Sequence, residues 1–469
     1  MAELTRFNDW PWQQWASQQP NSIALLTDDN SLTWAQLSEK ITMLAGYFYQ
    51  QGLRDHQTVI LRGKNTPQLL FSQLAILRCG AKVLPLNPKL PELLLKDLLP
   101  HLSIDFVIDF DDGLLSSFSY PELQFIASCD TYQQQIGHLP CFDNVMEQPA
   151  TLILTSGSTG LPKAALHSMY AHFDSARGVL QAMDYQPEDC WLLSLPLFHV
   201  SGQGILWRWL LRGAKLAVKS ACLIESLQGV SHASLVPTQL WRLLEQTEQT
   251  ESRSLTLKQV LLGGATIPTS LTDLAASKGI DCWSGYGMTE MASTVCAKRA
   301  DGRKGVGLPL SGKQVRLVDN EIQIKSHSQA LGYWFDGKIK PLNTLEGWLK
   351  TNDKGAYIDG EYQVLGRLDN LFISGGECVQ PEDIEAVINS HPAVKQSFII
   401  PIDDKEFGQR GVAVVDVSET QILSEIADWL KDKLTPYQFP VHFYRLESQL
   451  KSSGIKVSRK QVRDWVYNQ

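Results

Sequence analysis

The 469 residues contain no stretch approaching the roughly 18 consecutive apolar positions that a bilayer-spanning helix requires; the apolar run Trp191–Val200 is short and broken by Pro196. The opening segment, Met1 to Trp15, lacks an apolar signal core and a small-residue cleavage site, and carries Glu3, Arg6 and Asp9 among three tryptophans. Membrane insertion and export are therefore not expected. Cysteine is sparse: eight thiols lie scattered without a C-x-x-C pair or an adjoining histidine pattern, which argues against a metal cluster or redox pair and for reduced thiols in a cytoplasmic protein. A basic excess is also missing. Forty-two Lys and Arg against fifty Asp and Glu give a formal charge of −8, which offers no general attraction to nucleic acid. What is present is ample core material, 43% hydrophobic against 20% charged residues, the balance of a globular protein.

Length alone suggests roughly three folding units of about 150 residues. Through the first 150 residues, apolar runs at Ile23–Leu26, Thr58–Arg62, Lys82–Leu84 and Asp105–Ile108 alternate with helical patterns such as Trp34–Gln50, which predicts a largely parallel sheet. The leucine-rich run Leu93–Leu99 reads as a largely buried helical turn or two. A second alternating block runs from Thr151 to about Gly287, with strand candidates Thr151–Thr155, Trp191–Leu195, Lys215–Val218, Ala233–Val236 and Gln259–Leu262. From Gly305 to Gly366 the texture turns to short β pieces, among them Gln314–Val318 and Glu321–Lys325, broken by Asn, Asp and Gly turns. The turn-prone segment 367–370 then precedes a final unit ending in the helical pattern Ser458–Tyr467. The expected fold is α/β: a large unit 1–366 of α/β subdomains with a small β subdomain from about 305, a connection at 367–370, and a smaller α+β unit 371–469.

The strongest local signal is Thr155-Ser156-Gly157-Ser158-Thr159-Gly160-Leu161-Pro162-Lys163, directly after an apolar run. Glycines and small hydroxyl residues let a loop approach a polyphosphate closely, while N–H groups, hydroxyls and one lysine supply donors and positive charge. It is not a Walker A loop, because Pro162 precedes the lysine and the G-x-x-x-x-G-K-[ST] spacing is absent. A solvated Ser/Gly connector is the plain alternative.

This segment resembles the signature loop of the adenylate-forming superfamily, which includes acyl- and aryl-CoA ligases, firefly-type luciferases and peptide-synthetase adenylation domains. Further motifs follow in that superfamily's order from Thr151 to Lys456. Ser284-Gly285-Tyr286-Gly287-Met288-Thr289-Glu290 is similar to the stretch whose tyrosine stacks on adenine, whose threonine contacts the α-phosphate and whose glutamate helps hold Mg²⁺; an aromatic plane suits a purine and a carboxylate a hard cation. Asp353 matches the aspartate that grips the ribose hydroxyls, with Asn352 where the family has glycine, and Arg367 matches a second ribose contact.

By the same resemblance, Asp369 is the hinge about which the C-terminal unit rotates between an adenylating and a thiolating pose, with Asn370 in place of a common second aspartate. The loop Ser374-Gly375-Gly376-Glu377 would line the pantetheine tunnel in the second pose. Lys456, in Gly454-Ile455-Lys456-Val457, falls where the family places its mobile catalytic lysine; glycine sits one place earlier than usual, so Lys451 and Lys460 compete for the role. His199, in Leu195-Pro196-Leu197-Phe198-His199, matches a residue that gates the acyl pocket, its plain alternative being a hydrogen-bonded core histidine.

The resemblance implies an enzyme that consumes ATP and Mg²⁺ to activate a small carboxylic acid and passes the acyl group to coenzyme A. Segments such as Asp9–Trp12, Leu195–Gln203 with Trp207-Arg208-Trp209, Ser234–Arg242 and Ser284–Ala297 narrow it to a CoA ligase for an aromatic acid with a second, distant carboxylate. Such a pocket needs apolar walls, for which Trp207, Trp209 and Trp241 are candidates. It also needs donors, for which Arg208, Arg242, Ser293, Thr294 and the Gly287 backbone are candidates, with Arg242 favoured among the arginines. Three alternatives stay open: a ligase for another aryl or medium-chain acid, a stand-alone enzyme loading a carrier protein, and a noncatalytic nucleotide sensor. Similar ligases are commonly dimers, which leaves a homodimer open.

Overall fold

The computed structural model describes residues 6–126, 139–155, 161–249, 256–265, 267–420, 422–451 and 457–469. Among them the strands form four sheets. A nine-stranded sheet runs in the order Leu308–Pro309, Ser293–Arg299, Asp281–Met288, Gln259–Leu262, His232–Leu235, Cys190–Leu192, Lys215–Ala217, Ile23–Leu26, Ser31–Thr33. Its centre is parallel and its two ends antiparallel. A seven-stranded sheet runs Lys338–Lys340, Gly332–Phe335, Lys163–Ser168, Pro149–Thr155, Lys82–Leu86, Thr58–Arg62, Phe106–Asp109.

The individual strands follow the apolar runs closely, but their partners do not follow chain order. Ile23–Leu26 lies beside Lys215–Ala217 in the nine-stranded sheet, whereas Pro149–Thr155 joins Lys82–Leu86 in the other. The two sequence blocks thus exchange their first strands, because an apolar run specifies a strand while its neighbour is chosen by distant packing. The 191–195 run shortens to Cys190–Leu192, beyond which the chain turns toward His199. In the leucine run, the helix Glu92–Leu98 buries Leu95 and Leu98, with Leu99 buried just after it, but leaves Leu93 73% exposed, so burial follows a helical stripe and covers less of the run than expected.

Tryptophan joins the two sheets. Trp10, Trp12, Trp15, Trp34, Trp191, Trp207 and Trp209 all belong to one buried cluster. Trp34 stacks on Trp209 at 5.2 Å, and Trp209 Nε1 donates to Ala24 O. Burying side chains of this size stabilises by at least about 2–3 kcal/mol each. Helix Trp34–Gln50 starts at a capping box formed by Thr33 and Gln36 and buries Leu37, Ile41, Leu44, Ala45 and Phe48 along one face.

The β-rich region makes a five-stranded sheet from Lys313–Val318, Glu321–Ser326, Trp348–Ile358, Thr344–Leu345 and Glu361–Arg367. It is not contiguous in the chain, since Gly332–Phe335 and Lys338–Lys340 depart to the seven-stranded sheet. The fourth sheet, with helices Pro381–Ile388, Ile422–Leu430 and Arg459–Val466, encloses two apolar clusters built wholly from residues 372–466. Among the described residues no helix is long and apolar enough to cross a membrane.

Candidate active site

The predicted phosphate loop leaves one strand of a hairpin and enters the next. Thr155 ends Pro149–Thr155, Lys163 begins Lys163–Ser168, and the two residues pair across the neck. Ser156, Gly157, Ser158, Thr159 and Gly160 lie outside the described residues, as does Lys456. Of the two competitors of Lys456, Lys451 is paired with Asp416, and Lys460 is exposed on the last helix.

The second motif comes from the nine-stranded sheet. Asp281–Met288 pairs with Ser293–Arg299 through an irregularity at Tyr286/Gly287. A Cβ on Gly287 would lie 2.0 Å from Ser293 O, so no other residue fits there. Thr289 and Glu290 form a single tight turn that returns through Ala292 at φ 52° and Ser293 at φ 124°. The Thr289 carbonyl accepts from the Ala292 N–H and from His167 Nε2 at 2.7 Å. Burial pushes the His167 pKa down to about 4, so the ring is neutral and its one proton serves that carbonyl.

Tyr286, Asp353, Arg367 and Asp369 form one continuous polar chain. Tyr286 Oη donates to Asp353 Oδ2 at 2.5 Å, Arg367 Nη1 reaches Asp353 Oδ1 at 3.2 Å, and Arg367 holds both oxygens of Asp369 at 3.0 Å. Asp353 and Arg367 are cross-strand partners, which sets their spacing. Burial raises the Asp353 pKa above the ordinary carboxylate value, against the pull of Tyr286 and Arg367. Asp369 experiences burial too, but the Arg367 hydrogen bonds and charge leave it below its ordinary value. Asn352 has φ 59°, a left-handed conformation that asparagine tolerates nearly as well as glycine, so the turn survives the exchange.

The helix Val200–Arg212 begins at His199, whose carbonyl accepts from Gly202 and Gln203 and whose ring lies 4.8 Å from that of Phe198. Arg208, two turns on, is 2% exposed. Its Nη1 donates to Ser234 Oγ at 3.3 Å, its guanidinium lies 5.1 Å from the Trp191 ring, and among the described residues no carboxylate is within ion-pair reach. Burial pulls its pKa down to about 9. A Cβ on Gly204 would sit 2.8 Å from Arg208 Nη2 and 2.9 Å from Ser293 Oγ, so this glycine lets both polar groups converge over the helix. Thr294 is buried beside Ser293, their hydroxyl oxygens 3.4 Å apart.

Arg242 does not join this cluster. It is exposed on helix Pro237–Gln249, and the neighbouring Trp241 is half-buried with its Nε1–H donated to Glu245. Trp209 turns into the core against Trp34, while Trp207 stacks on His172 at 4.9 Å. Gly375 and Gly376, both at positive φ, form the hairpin between Phe372–Ser374 and Glu377–Val379, tied by the Gly375 N–H to Phe407 O. Two residues that motif reading passed over stand out: His167 on the Thr289 carbonyl, and Tyr333, whose hydroxyl donates to Glu290 Oε1 at 2.7 Å.

An aromatic–carboxylate–arginine chain suited to a nucleoside, a carboxylate on the turn that follows Tyr286 and a deeply buried guanidinium are the groups expected of an adenylate-forming enzyme. The description "AMP-binding enzyme" fits residues 12–334 and "AMP-binding enzyme C-terminal domain" fits residues 383–454; the chain belongs to this family. Among curated relatives, the 2-succinylbenzoate–CoA ligase of Salmonella typhimurium (strain LT2) is 49% identical, covering 98% of both chains. That of Escherichia coli (strain K12) is 47% identical over 99% of both. Among solved structures, a variant of E. coli MenE with bound OSB-AMS matches with a TM-score of 0.89 at 45% identity, covering 99% of this chain and 100% of that one. The o-succinylbenzoate CoA synthetase (MenE) from Bacillus subtilis in complex with ATP and magnesium ion matches at 0.76 and 25% identity, covering 94% and 96%.

Proposed function

We propose that this chain is an AMP-forming acid–CoA ligase that converts 2-succinylbenzoate, ATP and coenzyme A to the succinylbenzoyl-CoA thioester, AMP and pyrophosphate, a step of menaquinone biosynthesis. The observation that carries the choice of acid is Arg208, a guanidinium buried near Ser234 and Ser293 with no carboxylate partner among the described residues, on the helix that starts at His199. A buried unpaired charge is costly, and a ligand bearing a carboxylate removes the cost. The substrate's aryl carboxylate is such a ligand, and its succinyl carboxylate is left for activation.

Tyr286 presents its ring to adenine, while Asp353 accepts from the ribose hydroxyls and Arg367 donates to their oxygens. Thr155–Lys163 cradles the phosphates, and Thr289 contacts the α-phosphate. Glu290 suits Mg²⁺, because a single carboxylate together with substrate phosphate oxygens is the ligand set this ion favours, and one of its oxygens is already held by Tyr333. When bound, the ion neutralises charge on the phosphates. The succinyl carboxylate oxygen attacks the α-phosphorus in line, and the bond to pyrophosphate breaks. Lys456 stabilises the charge that develops there.

The unit 371–469 then rotates on the unit 1–366 about 367–370, with Asp369 as pivot. This withdraws Lys456 and brings Gly375-Gly376 to the pantetheine path. The CoA sulfur, its proton lost to solvent, attacks the acyl carbon and AMP leaves. In this scheme His199 gates the acyl pocket. AMP release measured over a panel of carboxylic acids with CoA present tests the reading: 2-succinylbenzoate gives turnover, and no turnover with it beside turnover with another acid overturns the assignment.

A further inference from the structure

The turn carrying Thr289 and Glu290 is gripped by a strand outside every motif considered so far. Gly332–Phe335 pairs antiparallel with Lys163–Ser168, with Tyr333 facing Ala165 and Trp334 facing Ala164. Side chains alternate along a strand, so Lys163 projects from the same face as Ala165 and lies diagonal to Tyr333. Ala165 is fully buried and small, which gives the Tyr333 ring room along the sheet. Lys163 Nζ stands 5.1 Å from the centre of that ring. The Tyr333 hydroxyl meanwhile donates to Glu290 Oε1 at 2.7 Å. Three residues earlier, the Ala330 N–H donates to the Glu290 carbonyl at 2.8 Å, so the segment 330–333 holds Glu290 by both backbone and carboxylate.

We propose that Tyr333 is a positioning residue for adenylation: its hydroxyl locks the Glu290 carboxylate so that the second oxygen presents to the metal, and its ring face supports the Lys163 ammonium at the phosphate loop. This rests on reading Glu290 as a Mg²⁺ ligand. A carboxylate on a flexible stem samples several rotamers, and fixing one oxygen removes that freedom before the metal arrives. A cation over an aromatic face is attracted to it while its N–H donors stay available for phosphate.

Tyr333→Phe removes the hydroxyl alone. Two readouts apply to the full chain: Mn²⁺ binding with a non-hydrolysable α,β-methylene ATP analogue, followed by electron paramagnetic resonance, and the Mg²⁺ dependence of adenylation. The expected result is Mn²⁺ affinity lowered about tenfold. The Mg²⁺ concentration for half-maximal adenylation rises in step, and excess Mg²⁺ restores most of the rate. Thioester formation from supplied acyl-adenylate is unchanged. Tyr333→Leu, which also removes the ring, adds a rise in the KM for ATP that Mg²⁺ does not rescue. Unaltered Mn²⁺ binding in Tyr333→Phe, alongside weakened binding in Glu290→Gln, overturns the role of Tyr333 alone. Unaltered binding in Glu290→Gln overturns the metal assignment on which it stands. Equal loss in both half-reactions reduces Tyr333 to a structural residue.

Discussion

The proposed nucleotide side and the proposed acid side of this site treat charge in opposite ways. On the proposed nucleotide side, Asp353, Arg367 and Asp369 are paired with one another and anchored by Tyr286. On the proposed acid side, Arg208 is more deeply buried, and among the described residues it meets the Ser234 hydroxyl and the Trp191 ring but no carboxylate. A paired set is preorganised and reads a neutral diol by geometry; an unpaired buried cation is strained in its electrostatics and selects the ligand that relieves it. On the proposed assignment, recognition of ATP is rigid and recognition of the acid is driven by charge.

The largest expected effect is on the nucleotide side. Asp353→Asn removes a charged acceptor for two hydroxyls, each hydrogen bond contributing about 1.5–2 kcal/mol, and lowers kcat/KM for ATP by about 10²–10³-fold while the KM for the acid holds. Steady-state kinetics in each substrate checks this; a change confined to the acid would erase the contrast. Next, Arg208→Leu lowers kcat/KM for 2-succinylbenzoate by about 10²-fold, yet leaves the unliganded protein no less stable, because a buried charge without a counter-charge is gone. Thermal melting decides the point: a Tm lowered by several degrees would make Arg208 part of the scaffold.

The last effect is absent at neutral pH and grows only as the solution is acidified. His167 is a buried base with its folded pKa at about 4, below the unfolded value of about 6.5. Its contribution is complete above pH 6.5 and is lost as pH falls through 4, by up to about 3 kcal/mol. His167→Phe should flatten the decline of stability over that interval in denaturant titrations. A slope equal to that of the parent would show that other groups carry it.

Strands and helices were legible where a local pattern suffices. Helix Trp34–Gln50 and strands Thr58–Arg62 and Gln259–Leu262 coincide with their apolar runs, and the departure of Asn352 from glycine is absorbed by the same left-handed φ. What escaped is what depends on partners far along the chain. The sheet joined by Ile23–Leu26 is one case; another is the burial of Arg208 beside the exposure of Arg242, a difference that residue type does not carry. Tyr333 escaped for the same reason, because its partners Lys163 and Glu290 lie 170 and 43 positions away and only the pairing of Gly332–Phe335 with Lys163–Ser168 unites them.

The most direct test of the contrast is a structure of the full chain with a non-hydrolysable succinylbenzoyl-adenylate analogue. The account predicts the ribose hydroxyls on Asp353 and the distant aryl carboxylate within hydrogen-bond distance of Arg208. A carboxylate directed to Arg242 or to solvent, with Arg208 still unpaired, would contradict it.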